Sequence, residues 1–239
     1  SVFPVLADGA VGDSLQYFQY EGSSLNPERQ ESPHIHSALM SHDNRILYVA
    51  DLGTDKIMVY DFDEGSGLLH PAAEPWISCP AGAGPRHMEL HPQLDVLYVA
   101  EELSSSISVF ATGAISQGDS RVIQRIPTLP PDFREANSVA DIHISPEGKF
   151  VYVSNRGHNS LAVFATSPED GSLTPIEIQS AMGNWPRSFS LSADARLVAV
   201  ANRRSNNISL FTRNPETGML EETVRDLPVD DPKCIKFYN

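Results

Sequence analysis

Short runs of apolar, β-branched and aromatic residues recur along the chain, each followed by a polar turn and a second, alternating run. Four stretches share this pattern: "ILYVADLGTDKIMVYDFDEGSGLL" from Ile46, "VLYVAEELSSSISVFATGAI" from Val96, "FVYVSNRGHNSLAVFATSPEDGSL" from Phe150 and "LVAVANRRSNNISLFTRNPETGML" from Leu197. With Tyr48, Tyr98, Tyr152 and Ala199 as reference positions, the spacings are 50, 54 and 47 residues. Another short strand ending in a turn precedes each reference position: "HSALMSHDN", "RHMELHPQL", "ADIHISPEG" and "RSFSLSADA". Segments such as "TPIEIQS" and "LEETVRDLP" supply a fourth strand downstream. No segment holds a helical period.

Four antiparallel strands repeated about every 50 residues predict propeller blades. A β-sandwich with coincidental spacing fits less well, because whole four-strand units recur in phase. The expected fold is all-β, with blades over 32–83, 84–135, 136–183 and 184–230 in one domain. A partial blade is expected over 1–31, and a closing strand over 231–239. Either the chain closes as four blades plus a defective fifth, or it belongs to a larger ring.

Within a blade the first strand lines the channel and the second runs antiparallel to it. The start of the first and the end of the second therefore lie at one end of the disc. Twelve residues before the reference positions stand His36, Arg86, Ala140 and Arg187. Four residues after them stand Leu52, Glu102, Arg156 and Arg203, preceded by Asp51, Glu101, Asn155 and Asn202. His36, Arg86, Glu102, Arg156, Arg187 and Arg203 thus share one end.

Charge sharpens this picture. The 239 residues carry 31 acidic against 17 basic groups, a formal charge of −14. That balance disfavours nucleic acid and anionic membranes as partners. Four arginines in two equivalent ring positions of an acidic chain therefore predict a small-anion site. Arginine binds carboxylate or phosphate through paired hydrogen bonds. The lone Glu102 is expected to stay ionised and to serve as a base. Cys79 and Cys234 make no disulfide framework or zinc site and fit a reducing compartment. No apolar run is long enough to span a membrane, and no charged-then-apolar leader opens the chain, so a cytoplasmic location is expected. The pair in "SPHIH" suggests a metal site built from His34, His36, His87 and Asp51, but a third ligand is not evident.

"SPHIHSALMSHDNRILYVADLGTDKI", "GAGPRHMELHPQLDVLYVAEELSSSISVF" and "ADIHISPEGKFVYVSNRGHNSLAVF" resemble the lactonase-type β-propellers. That family includes bacterial 6-phosphogluconolactonase and fungal 3-carboxy-cis,cis-muconate lactonizing enzyme. The resemblance implies a seven-bladed, metal-independent propeller about two blades longer than this chain. It implies active residues at His36 of "PHIH", Arg86 of "GPRH", Glu102 of "EEL" and Arg156 of "SNRG", with no cofactor. Arg187, Arg203, Asn155 and His34 are the expected further contacts to substrate. The implied function is formation or hydrolysis of a lactone, on a small anionic lactone or polycarboxylate. A rival expectation is a non-catalytic binding module, since incomplete blades invite edge pairing with a second copy or another partner.

Overall fold

The computed structural model describes residues 1–113 and 121–237. Ala114 and Ile115 of the second repeat, and Tyr238 and Asn239 of the expected closing strand, lie outside the described residues. Among the described residues the structure is all-β, with sixteen strands in four antiparallel sheets. The first sheet runs β1 (Ile35–Met40), β2 (Ile46–Asp51), β3 (Lys56–Asp63) and β4 (Leu68–Ser78). The second holds β5 (Pro85–Leu90), β6 (Val96–Glu101), β7 (Ser106–Ala111) and β8 (Arg121–Pro127). The third holds β9 (Ser138–Ile144), β10 (Phe150–Arg156), β11 (Ser160–Thr166) and β12 (Leu173–Ser180). The fourth holds β13 (Pro186–Leu191), β14 (Leu197–Asn202), β15 (Asn207–Arg213) and β16 (Leu220–Pro228). Each sheet is an up-and-down meander in chain order, the blade of a propeller.

The second strand of each blade opens on an apolar run, buried on both faces, and ends in a polar or charged residue. Alternate residues point to opposite faces. Leu97 and Val99 of β6 pack toward the first blade, against Tyr48, Ile57 and Val59. Val96, Tyr98 and Ala100 pack toward the third, against Val139, Val151 and Val153. Burying each large apolar side chain contributes about 1.5–3 kcal/mol. Two of the reference tyrosines, Tyr98 and Tyr152, also hydrogen-bond into the following blade. Tyr98 Oη donates to Gly171 O and Tyr152 Oη to Gly218 O, both at 2.8 Å.

Outer strands are joined by a second device. Gln124 on β8 donates to Leu173 O at 2.9 Å and accepts from Leu173 N at 2.7 Å. Glu177 on β12 accepts from Leu220 N at 3.0 Å. Gln16 makes the same paired contact with Leu69, at 3.0 and 2.7 Å. The segment before residue 34 forms no full strand. It is held by the isolated bridges Val2↔Gln16 and Val5↔Val11, and Val2, Phe18 and Tyr20 cover Val49, Tyr60 and Leu69. Residues 232–237 form no strand, since no neighbouring strand pairs with them. Among the described residues no helix is long and apolar enough to cross a membrane.

Candidate active site

The site is built on an irregularity repeated in every first strand. In β1, Ile35 pairs with Asp51 and Ser37 with Ala50, which leaves His36 as an extra residue. In β5, Pro85 pairs with Glu101 and His87 with Ala100, which leaves Arg86 extra. In β13, Pro186 pairs with Asn202 and Ser188 with Ala201, which leaves Arg187 extra. In β9 the shift falls between Val139 and Ile142, around Ala140 and Asp141. A bulge redirects the side chain it carries. The bulge residues His36, Arg86 and Arg187 are those the repeat alignment placed in one slot.

Glu102 follows β6, and its N–H donates to Gly84 O at 2.7 Å. Gly84 has φ +67°, a left-handed conformation that favours glycine, and Asp55 Oδ1 accepts its N–H at 2.6 Å. Glu102 is only 3% exposed. Its Oε2 lies 2.8 Å from Arg86 Nε and 2.8 Å from Arg156 Nη2, and its Oε1 lies 2.5 Å from Arg29 Nη2. Arg86 is 1% exposed, and Nη1 donates to Ala140 O. Its Nε lies near the carboxylate, but the N–H is not aimed at an acceptor, so that contact is Coulombic. Arg156 Nη2 also donates to Val139 O at 2.8 Å.

These contacts set the charges. Burial alone would raise the Glu102 carboxyl, but Arg156, Arg29 and Arg86 outweigh it and hold the pKa at about 2. Burial, then the neighbouring Arg156, lowers Arg86 to about 10. Burial, then Arg86, pushes His36 down to about 3, so its ring is neutral. His36 Nδ1 is buried without a hydrogen-bond partner. Arg187 is half-buried and its charge acts on His36, Arg86 and Arg156. Among the described residues it has no carboxylate partner, which leaves an uncompensated cation beside the cluster.

A second polar line runs between the first strands β5 and β9. His87 Nδ1 is 2.5 Å from Asp141 Oδ1, and its ring meets His36 edge-on with centroids 5.1 Å apart. His143 Nδ1 is 2.7 Å from Glu89 Oε1, and its Nε2 is 3.6 Å from Asp141 Oδ2, an ion-pair distance rather than a hydrogen bond. Burial opposes charge on His143, but Asp141 and Glu89 raise its pKa to about 9. Burial likewise opposes charge on Asp141, yet His143 and His87 hold it well below the usual carboxylate range.

The structure therefore brings together His36, Arg86, Glu102, Arg156 and Arg187. It separates the other expected contacts. Arg203 Nε pairs with Asp231 Oδ1 at 2.7 Å on the rim. His34 is exposed and pairs with Glu31 at 3.0 Å. Asn155 is fully buried, and its amide bonds Thr128, Asn137 and Ser160, so it locks loops beside the cluster. The metal set built on His34, His36, His87 and Asp51 does not assemble, since Asp51 instead accepts from His34 N, Gly53 N and Thr54 Oγ1. Among the described residues no group of three or more His, Cys, Asp or Glu side chains is placed to hold a metal ion.

Arg29 was not foreseen. It lies before the first repeat, where no slot comparison reaches. Its turn is fixed by Asn26, which accepts from Glu28 N and Arg29 N, and by buried Gln30, which donates to Leu52 O at 2.8 Å. His87–Asp141 and Glu89–His143 were also missed. Both pairs are 54 residues apart, the same spacing that separates Tyr98 from Tyr152. Complementary groups in one slot of consecutive repeats were the available signal.

The sequence profile of the family described as "Lactonase, 7-bladed beta-propeller" matches residues 1–237. The chain belongs to this lactonase family. A family relative, the 6-phosphogluconolactonase of Bacillus subtilis, is 37% identical over 188 residues, covering 79% of this chain and 52% of that protein. A crystal structure of a Lactobacillus plantarum protein superposes with a TM-score of 0.92 at 35% identity, over 99% of this chain and 67% of that one. The periplasmic gluconolactonase of Pseudomonas aeruginosa gives a TM-score of 0.89 at 33% identity, over 96% and 63%. The chain spans about half the length of the curated lactonase-family relatives it matches.

Proposed function

We propose that this propeller hydrolyses a small anionic lactone at the bulge end of its channel. The observation that carries this reading is the cluster of three arginines, two of them buried, around ionised Glu102, with Arg187 left uncompensated beside it. The names of its relatives, 6-phosphogluconolactonase and gluconolactonase, support hydrolysis over lactone formation. Arg187 would take the substrate's phosphate or carboxylate. Arg86 and Arg156 would face the carbonyl oxygen and stabilise the oxyanion of the tetrahedral intermediate. Neutral His36 would orient the ring through a hydrogen bond. Glu102 would fix the arginine geometry. That departs from the base role expected of it, because a carboxylate held at about 2 is a weak proton acceptor at neutral pH.

The test is a turnover panel of 6-phosphogluconolactone, unphosphorylated gluconolactone and carboxymuconate. Hydrolysis favouring the phosphorylated substrate is expected. Arg187→Ala should raise KM for that substrate by about 10- to 100-fold with kcat nearly unchanged, as for loss of a charge-assisted contact of about 1.5–3 kcal/mol. No lactone hydrolysis, or full activity after Arg86→Ala, would sink the reading. Turnover of carboxymuconate alone would redirect it to lactone formation. The rival, a partner-dependent binding module, draws support from the exposed apolar side chains of Phe3, Val5, Val11 and Tyr17.

A further inference from the structure

We propose that His87 is the general base of this site, held in its working tautomer by Asp141, and that it takes the proton from the attacking water. The inference rests on the lactone reading above and names the group that reading lacks. His87 directly follows bulged Arg86 on β5 and occupies the slot that Asp141 occupies on β9. The carboxylate 2.5 Å from Nδ1 accepts the Nδ1 proton, which leaves Nε2 bare as the acceptor. The His87 side chain is 31% exposed, and among the described residues Nε2 has no protein partner. Its ring touches His36, the residue that faces Arg86, Glu102 and Arg187.

Asp141 is well placed as an orienting group. It is buried, and backbone N–H groups fix both oxygens: Ile142 N donates to Oδ1 at 3.2 Å and Phe189 N to Oδ2 at 3.1 Å. The charged groups around His87 are Asp141 and His143 from β9, and Arg86 and Glu89 from its own strand, with the neutral His36 ring from β1. Glu102 and His36 are both held strongly acidic, so neither competes as a base near neutral pH. Imidazole carries two ring nitrogens, so one can be held by Asp141 while the other takes a proton.

The step balances without a further reactant. Water oxygen bonds to the lactone carbonyl carbon as His87 Nε2 takes a water proton, and the carbonyl π pair moves onto oxygen. The intermediate collapses, the ring C–O bond breaks, and the Nε2 proton passes to the departing ring oxygen. The product is the open hydroxy acid, with His87 neutral again.

The experiment uses the 239-residue chain with 6-phosphogluconolactone and gluconolactone. His87→Gln should lower kcat by about 10²- to 10⁴-fold with KM nearly unchanged, and should abolish the acidic limb of the kcat/KM profile. His87→Ala should regain activity with added imidazole, which a merely structural residue would not do. Asp141→Asn, which reverses the hydrogen bond and imposes the wrong tautomer, should lower kcat by a comparable factor. If the unmodified chain hydrolyses lactone and His87→Gln keeps both kcat and the acidic limb, the base assignment falls alone. If the unmodified chain hydrolyses neither lactone, the reading beneath it falls too.

Discussion

Glu102 shows how a buried carboxylate is held by its neighbours. Three guanidinium groups reach it, two buried and one, Arg29, about half exposed. Removing the carboxylate leaves Arg86 and Arg156 as uncompensated buried charges. Glu102→Gln should therefore cost about 3–5 kcal/mol in urea unfolding, whereas Arg29→Ala should cost under about 1 kcal/mol, since its head is partly solvated. Equal losses would mean that the pairs do not share the carboxylate as described. His143 gives a pH signature. Its folded pKa, raised to about 9, means its stabilisation is full below the unfolded value near 6.5 and lost as pH rises through 9. Depressed Asp141 acts oppositely, stabilising above the unfolded carboxylate value and losing that contribution in acid. The melting temperature should thus fall by about 5 °C between pH 6.5 and 9.5, and His143→Gln should flatten that fall. At this scale the repeat alignment groups His36, Arg86, Glu102, Arg156 and Arg187, but it adds Arg203, whose guanidinium pairs with Asp231 on the rim. It does not show that the amide of Asn155 bonds Thr128, Asn137 and Ser160. Slot equivalence fixes which end of the disc a residue occupies, and local hydrogen bonding decides where its side chain goes.

The blades are held by two element-level devices of unequal visibility. Apolar second strands announce themselves, because burial on both faces removes polar residues from runs such as "VLYVA". The bulges do not, because one extra residue in a strand changes neither composition nor alternation enough to be seen. The outer-strand link is also hidden, since a single glutamine carries it. Gln124 satisfies both backbone groups of Leu173, in place of ladder bonds between blades. Gln124→Ala should cost about 1–3 kcal/mol, two hydrogen bonds at about 0.5–1.5 kcal/mol each. Gln16→Ala should loosen the N-terminal segment from the first blade, read as faster amide exchange at Leu69. Unchanged exchange at Leu69 would show that the apolar cover from Val2, Phe18 and Tyr20 suffices without the link.

As a whole, the four blades stack in chain order through their first strands, β1 on β5, β5 on β9 and β9 on β13. The first blade's outer face is covered by residues 1–34, which leave apolar side chains in solvent: Val5 is 77% exposed, Tyr17 71% and Val11 69%. At the other end Met219, Leu227 and Val229 are exposed on and beside β16. Such surface favours association, and a charge of −14 opposes it. Salt separates the two effects, because screening weakens the repulsion and leaves apolar contact intact. The 239-residue chain should therefore sediment as a concentration-dependent dimer at micromolar concentration, and more completely in 0.5 M than in about 0.05 M salt. Replacing Val5 and Tyr17 with lysine should return it to monomer without altering its far-ultraviolet circular dichroism. A monomer at every salt concentration would show that these apolar surfaces do not pair, and would weigh against the partner-dependent reading. Dimerisation that turns lactone hydrolysis on would instead join the two readings, with association and catalysis coupled.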